Sequence, residues 1–203
     1  MAEVSVIVPL YNADRDYLRK CMDSALSQTL KSIEVIAVND GSTNGCEEVL
    51  KEYAGDERLK VFNQANAGTS AARNKGLDQA QGEYVIFLDA DDFLESDCCE
   101  RLCSFARENE DCDIIFFGYA TEYTNTRVRR VLDKNIFAAS DWDNLWQRDA
   151  LEMAILKGDR RLGAAEIGSP WGKLIKRSAI EDGRVRYTPG LIKGQDTVFV
   201  LNL

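Results

Sequence analysis

The sequence contains no histidine among its 203 residues. This absence excludes a Ser-His-Asp triad, a Cys-His pair and a zinc site with histidine ligands. If the protein is an enzyme that works near neutral pH, carboxylate, lysine, tyrosine or cysteine side chains must transfer its protons. The 34 Asp and Glu residues are the most numerous of these candidates, and they are also good ligands for Mg²⁺ or Mn²⁺.

The sequence also has no long apolar run and no excess of basic residues. No stretch approaches the roughly 20 consecutive apolar residues that a transmembrane helix needs. The net charge is -9, because 34 acidic residues outnumber 25 Lys and Arg residues. Nucleic acid is therefore not an expected partner, since binding its phosphates requires a basic surface.

Cysteine occurs at six positions, but without a C-x-x-C pair. No signal peptide is recognisable at the start of the sequence, which favours a cytoplasmic protein with reduced thiols. Because no histidine can complete a zinc site with them, we expect the cysteines to act as small buried hydrophobic residues.

Hydrophobic patterning predicts an α/β fold. Segments with apolar residues at helical spacing alternate with runs of apolar and β-branched residues that are typical of buried strands. This alternation predicts a mostly parallel sheet with helices on its faces. The five predicted strands are at residues 4–10, 33–38, 59–62, 84–88 and 114–119.

The pattern is less regular after residue 120. A helix is expected at 144–157, a short strand at 171–175 and a further helix from residue 195 onwards. Because the apolar pattern of that last helix still continues at residue 203, we expect the protein to be truncated there.

Two aspartates, Asp89 and Asp91, directly follow the fourth predicted strand. Polar residues also end the first two strands, and the carboxyl ends of parallel strands meet at the edge of the sheet where ligands bind. Two adjacent carboxylates repel each other unless a cation binds both. Mg²⁺-like ions bind one or two carboxylates and complete their shell with phosphate oxygens and water. The Asp-x-Asp pattern therefore predicts a divalent cation that holds a phosphate-containing ligand.

The competing interpretation is that these aspartates are solvated acids ahead of the helix that is predicted near Asp97. Two other phosphate-binding patterns are missing, namely G-x-G-x-x-G after a strand and G-x-x-x-x-G-K-[ST]. A dinucleotide-binding site is therefore unsupported, and a P-loop is excluded.

Four segments, taken in order, resemble the family 2 glycosyltransferases. They are residues 6–12 (VIVPLYN), 38–43 (VNDGST), 66–76 (NAGTSAARNKG) and 89–92 (DADD), with weaker matches at 170–174 (PWGKL) and 194–199 (GQDTVF). The resemblance implies the GT-A fold, a Rossmann-like, mostly parallel central sheet flanked by helices. It also implies an inverting enzyme that uses nucleotide-sugar donors, very often UDP-sugars.

The resemblance further implies two halves of one domain. Residues 1–120 are implied to bind the nucleotide sugar, and residues 121–203 to form the less regular region on the side of the acceptor substrate, including the catalytic base. The residues implied to contact the nucleotide sugar are Pro9, Tyr11, Asp40, Asn66, Gly68, Arg73, Asp89 and Ala90. Within this set, Asp40 is implied to accept a hydrogen bond from the uracil N–H. Asp91, together with Asp89, is implied to hold Mn²⁺ or Mg²⁺.

Asp196 is implied to be the catalytic base. The family often has Glu-Asp at this point, whereas this sequence has Gln195-Asp196. The alternative interpretation of Asp196 is an acid in the first turn of the last helix. Trp171 and Gln195 are candidates for contacts with the sugar or the acceptor substrate, although Trp171 is equally suited to core packing. Gly172 stands where the family often has Asn.

The function implied by the resemblance is transfer of a sugar, with inversion, to a glycan or lipid-linked acceptor in the synthesis of a bacterial surface polysaccharide. A cytoplasmic protein is expected, and peripheral attachment to the inner face of the membrane through further C-terminal residues is left open. Two alternatives remain at this point. One is a phosphohydrolase of the haloacid dehalogenase type, which also uses Asp-x-Asp after a strand. The other is a nucleotide-sugar-binding domain without transferase activity.

Overall fold

The computed structural model describes residues 2–123, 126–130, 136–137, 169–191 and 194–203. The strands in these residues are β1 (Val4–Leu10), β2 (Ile33–Asp40), β3 (Leu59–Gln64), β4 (Tyr84–Phe87), β5 (Ile114–Phe116), β6 (Tyr119–Tyr123), β7 (Thr126–Arg130), β8 (Ile136–Phe137) and β9 (Lys173–Lys176). The helices are α1 (Arg15–Leu26), α2 (Cys46–Lys51), α3 (Thr69–Gln79), α4 (Cys98–Glu108), α5 (Arg177–Asp182) and α6 (Gln195–Leu201).

Seven strands form one sheet in the order β3-β2-β1-β4-β9-β5-β8, and β6 pairs with β7 in a separate hairpin. The pairs β3-β2, β2-β1 and β1-β4 are parallel. β9 is antiparallel to both of its neighbours, and β8 is antiparallel to β5. The predicted α/β fold with a mostly parallel central sheet is therefore confirmed for its first four strands, and the strand predicted at 171–175 enters the sheet between β4 and β5.

The sheet is buried on both faces, which explains why most residues of β1 and β2 are apolar. On one face, α1, α2 and α4 cover a cluster that includes Val6, Leu18 and Cys103. On the other face, α3, α5 and α6 cover a cluster that includes Ile7 and Phe199. Alternate residues of each inner strand thus serve two different cores.

Helix α3 lies very close to β1. A Cβ atom added at Gly76 would stand 2.3 Å from Cγ2 of Ile7, so a larger residue would push the helix away from the sheet. The short distance fixes the position of the preceding turn of α3, which carries Arg73 and Asn74.

One buried carboxylate has a structural role where β1 and β2 begin, at the amino-terminal edge of the sheet. Glu34 accepts hydrogen bonds from Ser5 Oγ (2.6 Å), Gln81 N–H (2.6 Å) and Lys60 Nζ (2.7 Å). Burial acts to raise the pKa of Glu34, but these donors outweigh it and the pKa is lowered. Glu34 therefore anchors the turn before β4 as a charged group.

A further sequence expectation concerns the cysteines. All six cysteines are free thiols, and five of them are buried, while Cys98 is half-buried.

The strand predicted at 114–119 ends earlier, at Phe116, and Tyr119 begins the separate hairpin. The helix predicted at 144–157 lies outside the described residues. Within the residues that are described, no helix is long and apolar enough to cross a membrane.

Candidate active site

The loops after β1 and β2 are joined at the carboxyl edge of the sheet. The backbone N–H of Asn12 donates to Ser42 Oγ at 2.9 Å, and Asn12 Oδ1 accepts from the backbone N–H of Thr43 at 2.8 Å. Asn12 has a positive φ of 49°, which asparagine adopts more readily than most residues. The sequence prediction that these two polar clusters lie together is therefore correct.

Asp40 ends β2 and is only 3% exposed. Its carboxylate accepts three hydrogen bonds of 2.8 Å, from Gln64 Nε2 and from the backbone N–H groups of Ala67 and Gly68. A carboxylate has about four lone-pair positions, so these donors leave little further capacity. Asp40 thus organises the loop that leads into α3, a role that its position in the sequence did not reveal.

Gly41 allows this loop to approach. Its φ is +75°, and a Cβ atom there would stand 2.8 Å from the backbone nitrogen of Asn66. Both Asn66 and Gly68 are exposed at the edge of the sheet. Tyr11 and Pro9 are also implied to contact the nucleotide sugar. Tyr11 is 53% exposed, whereas Pro9 is buried within β1.

The segment 89–92 follows β4, beside the end of β1. The backbone N–H of Leu88 donates to the carbonyl of Ile7 at 2.9 Å, and Asp92 N–H closes a turn onto Asp89 O at 2.9 Å. Asp91 is exposed, while Ala90 is 8% exposed. The structure therefore presents the side chain of Asp91 to solvent at the same edge as the other two loops.

Gln28 holds the chain that continues from this segment. Its side chain is fully buried, donates to Glu95 O at 2.8 Å and accepts from Cys99 N–H at 3.0 Å. It also donates to Ser24 O of α1 at 2.9 Å. The start of α4 is thereby fixed to the end of α1, and the aspartates lie on a supported turn.

The carboxylates of this segment fit a hard divalent cation. Desolvation first, and then the neighbouring charges of Asp89 and Asp91, raise the pKa of Asp92 to about 6. In the described part of the chain, no three Asp, Glu or Cys side chains form a complete metal cage. Mg²⁺-like ions bind with one or two carboxylates when phosphates and water supply the other ligands, so the donor set is suitable.

Arg73 connects this segment to the far end of the described chain. Its guanidinium donates to Asp89 Oδ1 at 3.0 Å and to Asp196 Oδ1 at 2.6 Å. The Arg73 side chain is 4% exposed, compared with 31% for Asp89 and 21% for Asp196. Three of the residues singled out from the sequence therefore form one ion-paired group.

Asp196 stands in the first turn of α6. Partial burial raises the pKa of its carboxyl, and the charge of Asp89 acts in the same direction, whereas Arg73 and Lys173 act to lower it. Burial prevails, so the pKa lies above its ordinary value. A carboxylate with a raised pKa is a better proton acceptor than a fully solvated one.

Tyr187 forms the apolar floor below Arg73. The guanidinium carbon lies 5.2 Å from the centre of the Tyr187 ring, which stacks on Phe199 of α6 at 4.1 Å. Asn74 exchanges two hydrogen bonds of 2.8 Å with the backbone of Tyr187. This contact fastens the segment before α6 to α3. Sequence reasoning missed both residues, although Asn74 directly follows Arg73 in the matched motif.

The remaining candidates are Gln195 and Trp171. Gln195 Oε1 accepts from Ser70 Oγ of α3 at 2.5 Å, which adds a second link between α3 and α6. Trp171 is half-buried, and its backbone carbonyl accepts from Lys173 Nζ at 3.4 Å. Lys173 is fully buried and was also missed, because a lysine in a strand is normally expected at the surface.

Comparison with known proteins identifies the family. The family model "Glycosyl transferase family 2" matches residues 5–183. The Bacillus subtilis protein EpsH is 36% identical over 185 residues, which are 91% of this chain and 50% of EpsH. The glycosyltransferase GlyA of Streptococcus pneumoniae is 37% identical over 183 residues, 90% of this chain and 25% of GlyA. The chain thus spans half, or less, of the length of these relatives.

Solved structures share the fold. S. aureus TarS, residues 1–349 in complex with UDP-GlcNAc, matches with a TM-score of 0.76 at 24% identity, over 100% of this chain and 53% of that 1–349 chain. The mannosyltransferase PcManGT of Pyrobaculum calidifontis, in complex with GDP-Man and Mn²⁺, matches with a TM-score of 0.63 at 17% identity, over 97% of this chain and 50% of that chain. At these identities the matches establish the GT-A architecture.

Proposed function

Because the chain belongs to glycosyl transferase family 2, we propose that it transfers a sugar from a nucleotide-sugar donor to a hydroxyl group of an acceptor substrate. The observation that carries this proposal is the group formed by Asp89, Arg73 and Asp196, which brings the Asp-x-Asp segment and the candidate base to one end of the sheet. A metal-phosphate site beside a carboxylate base is what a sugar transfer with a diphosphate leaving group requires.

We assign the donor as a UDP-sugar. TarS, one of the structures that share the fold, is described in complex with UDP-GlcNAc. Tyr11, exposed at the edge, is suited to stack on a nucleobase. The remaining capacity of Asp40 is sufficient to accept a single N–H, which matches uracil.

Asp91, with Asp89, would hold Mn²⁺ or Mg²⁺. Such an ion neutralises the negative charge that develops on the departing diphosphate. PcManGT, which shares the fold, is described with Mn²⁺. The carboxylates of Asp89 and Asp91 would hold this ion, and the buried Arg73 adds a fixed positive charge next to Asp89.

Asp196 acts as the base in this proposal. Its carboxylate takes the proton from the acceptor hydroxyl as that oxygen attacks the anomeric carbon and the bond to the diphosphate breaks. A single displacement of this kind inverts the configuration at that carbon. Gln195, which precedes Asp196 in α6, and Trp171, whose carbonyl accepts from Lys173, are proposed to contact the acceptor substrate or the transferred sugar.

The acceptor is proposed to be a glycan or lipid-linked glycan, in the synthesis of a bacterial surface polysaccharide. Relatives of this chain include the cholesterol galactosyltransferase of Borreliella burgdorferi, which is 32% identical over 204 residues, 99% of this chain and 55% of that relative. The name of this relative specifies cholesterol as the acceptor, so membership of the family does not by itself fix the acceptor as a glycan. Residues 1–120 are proposed to hold the donor and residues 121–203 to face the acceptor, and a cytoplasmic location stays a prediction.

The decisive experiment measures donor binding and transfer in the same protein. UDP-, GDP- and dTDP-sugars are titrated into the protein by calorimetry with Mn²⁺ and again with EDTA. UDP release with an acceptor glycan is then followed. We expect a UDP-sugar to bind with Mn²⁺ but not with EDTA, and its sugar then to be transferred to the acceptor. Binding without transfer to any acceptor would instead favour a nucleotide-sugar-binding domain, and no binding of any donor would refute the proposal.

A further inference from the structure

Arg73 faces two carboxylates that the proposed function uses for different tasks. Its two terminal nitrogens are divided between them, one at 3.0 Å from Asp89 and the other at 2.6 Å from Asp196. The two acids therefore share a single positive charge. Within the described residues, Nε of Arg73 is buried without a hydrogen-bond partner, so the guanidinium donates only through its two terminal nitrogens.

The guanidinium is held in this place from several sides. Arg73 is on a turn of α3 that the close packing of Gly76 on Ile7 fixes against β1. The Tyr187 ring lies beneath it, with the guanidinium carbon 5.2 Å from the ring centre. An arginine does not lose its proton in a protein, so this charge is permanent. It can neither leave the site by a large movement nor be neutralised.

We infer that Arg73 is a positioning residue that couples cation binding at Asp89 and Asp91 to the ion pair with Asp196. This inference rests on the proposed function and differs from the expected role of Arg73 in the nucleotide pocket. A divalent cation that binds at Asp89 competes with Arg73 for the same carboxylate. The guanidinium then pairs more fully with Asp196, which fixes that carboxylate in place once the donor side is loaded.

The energetic basis is the repulsion between two cations in a partly buried site. Like charges a few ångströms apart repel each other more strongly in such a site than in water, because its effective dielectric constant is lower. Arg73 therefore weakens the binding of a bare divalent cation, whereas Asp196 offsets part of that effect by drawing the guanidinium away from Asp89. Because coupling between sites is reciprocal, changes at Asp196 must alter cation affinity even though Asp196 is not a ligand.

The test measures Mn²⁺ alone, without donor, at low ionic strength. The electron paramagnetic resonance signal of free Mn²⁺ gives the Kd for wild type, Arg73→Gln, Asp196→Asn and the double variant. We expect Arg73→Gln to tighten Mn²⁺ binding by about tenfold and Asp196→Asn to weaken it. Asp196→Asn frees the Arg73 guanidinium to compete with the cation at Asp89. In the double variant this guanidinium is missing, so Asp196→Asn should weaken Mn²⁺ binding less than it does when Arg73 is present.

A merely structural role of Arg73 predicts the opposite sign, since a loosened site binds the cation less well. The inference would be overturned if folded Arg73→Gln binds Mn²⁺ as wild type does or more weakly. Strictly additive effects in the double variant would overturn it as well. If Arg73→Gln does not fold, Arg73→Lys is tested in its place. Because Arg73→Lys keeps the positive charge, this variant should bind Mn²⁺ as wild type does, while its turnover falls. A tenfold change of Kd in Arg73→Lys would then count against the inference.

The matched control is Arg58→Gln, since Arg58 pairs with Asp56 ahead of β3 and lies outside the site. Its Kd for Mn²⁺ should equal that of wild type. Failure of this inference is distinguishable from failure of the proposed function. A protein that binds donor and transfers sugar, but whose Mn²⁺ affinity does not respond to Arg73, contradicts the coupling alone.

Discussion

Arg73 and Asp196 form a hydrogen-bonded ion pair of 2.6 Å although 123 positions separate them in the sequence. The pair joins α3 to α6 on one face of the sheet, and a second contact, from Ser70 to Gln195, lies beside it. Asp196 is therefore more than an acid in the first turn of a helix. Its carboxylate is oriented by a buried arginine that also contacts the Asp-x-Asp segment.

The first prediction concerns Asp196 as the base. Asp196→Asn keeps the shape of the side chain but cannot accept the proton, so transfer should fall by about 10² to 10⁴-fold, while the Kd for the donor at saturating Mn²⁺ stays within a few fold. Calorimetry and a UDP-release assay measure the two quantities separately. The control is Asp182→Asn, an exposed acid at the end of α5, which should leave both unchanged. Normal transfer by Asp196→Asn would remove Asp196 from this role.

The second prediction concerns Asp91 as a metal ligand. Asp91→Asn removes one of the negative charges that attract the cation, so the Mn²⁺-dependent part of donor binding should be lost. Donor titrations with Mn²⁺ and with EDTA should then give the same weak affinity. Asp111→Asn, an exposed acid near β5, serves as the control. A variant at Asp91 that still responds to Mn²⁺ as wild type does would show that the ligands lie elsewhere.

The first four strands could be predicted because their information is local. β1 and β2 are buried at every position, so most of their residues are apolar and many are β-branched. The place of β9 could not be predicted, since its partners β4 and β5 are chosen by the packing of the whole sheet. Nothing in residues 171–175 indicates an antiparallel strand inserted between two others.

The candidate site could be predicted to a similar extent. Asp40, Asp89 and Asp196 were found from motifs, and the structure brings the last two together through Arg73. Lys173 and Tyr187 were missed for a physical reason. A buried lysine and a buried tyrosine depend on partners that are distant in sequence, and neither lies in a pattern that marks it as buried.

The third prediction concerns the contact between α3 and the segment before α6. Asn74→Ala removes both hydrogen bonds to the Tyr187 backbone and should lower the free energy of unfolding by about 2 kcal/mol. In contrast, the hydroxyl of Tyr187 is buried without a partner among the described residues. Tyr187→Phe should therefore leave stability unchanged or raise it by about 1 kcal/mol. Urea denaturation measures both, and a large loss in Tyr187→Phe would reveal a partner for that hydroxyl.

The fourth prediction is a pH dependence. The base must be ionised to accept a proton, so kcat/KM should fall as the pH drops through the pKa of Asp196. Burial raises this pKa above the ordinary value of 3.8, which places the acidic limb at a higher pH than a solvated aspartate would give. Since Arg73 acts to lower the same pKa, Arg73→Gln should shift the acidic limb to still higher pH. Profiles of kcat/KM between pH 4 and 8 test this, with Arg58→Gln as the variant that should match wild type. A limb that stays in place in Arg73→Gln would mean that the group that titrates is not Asp196.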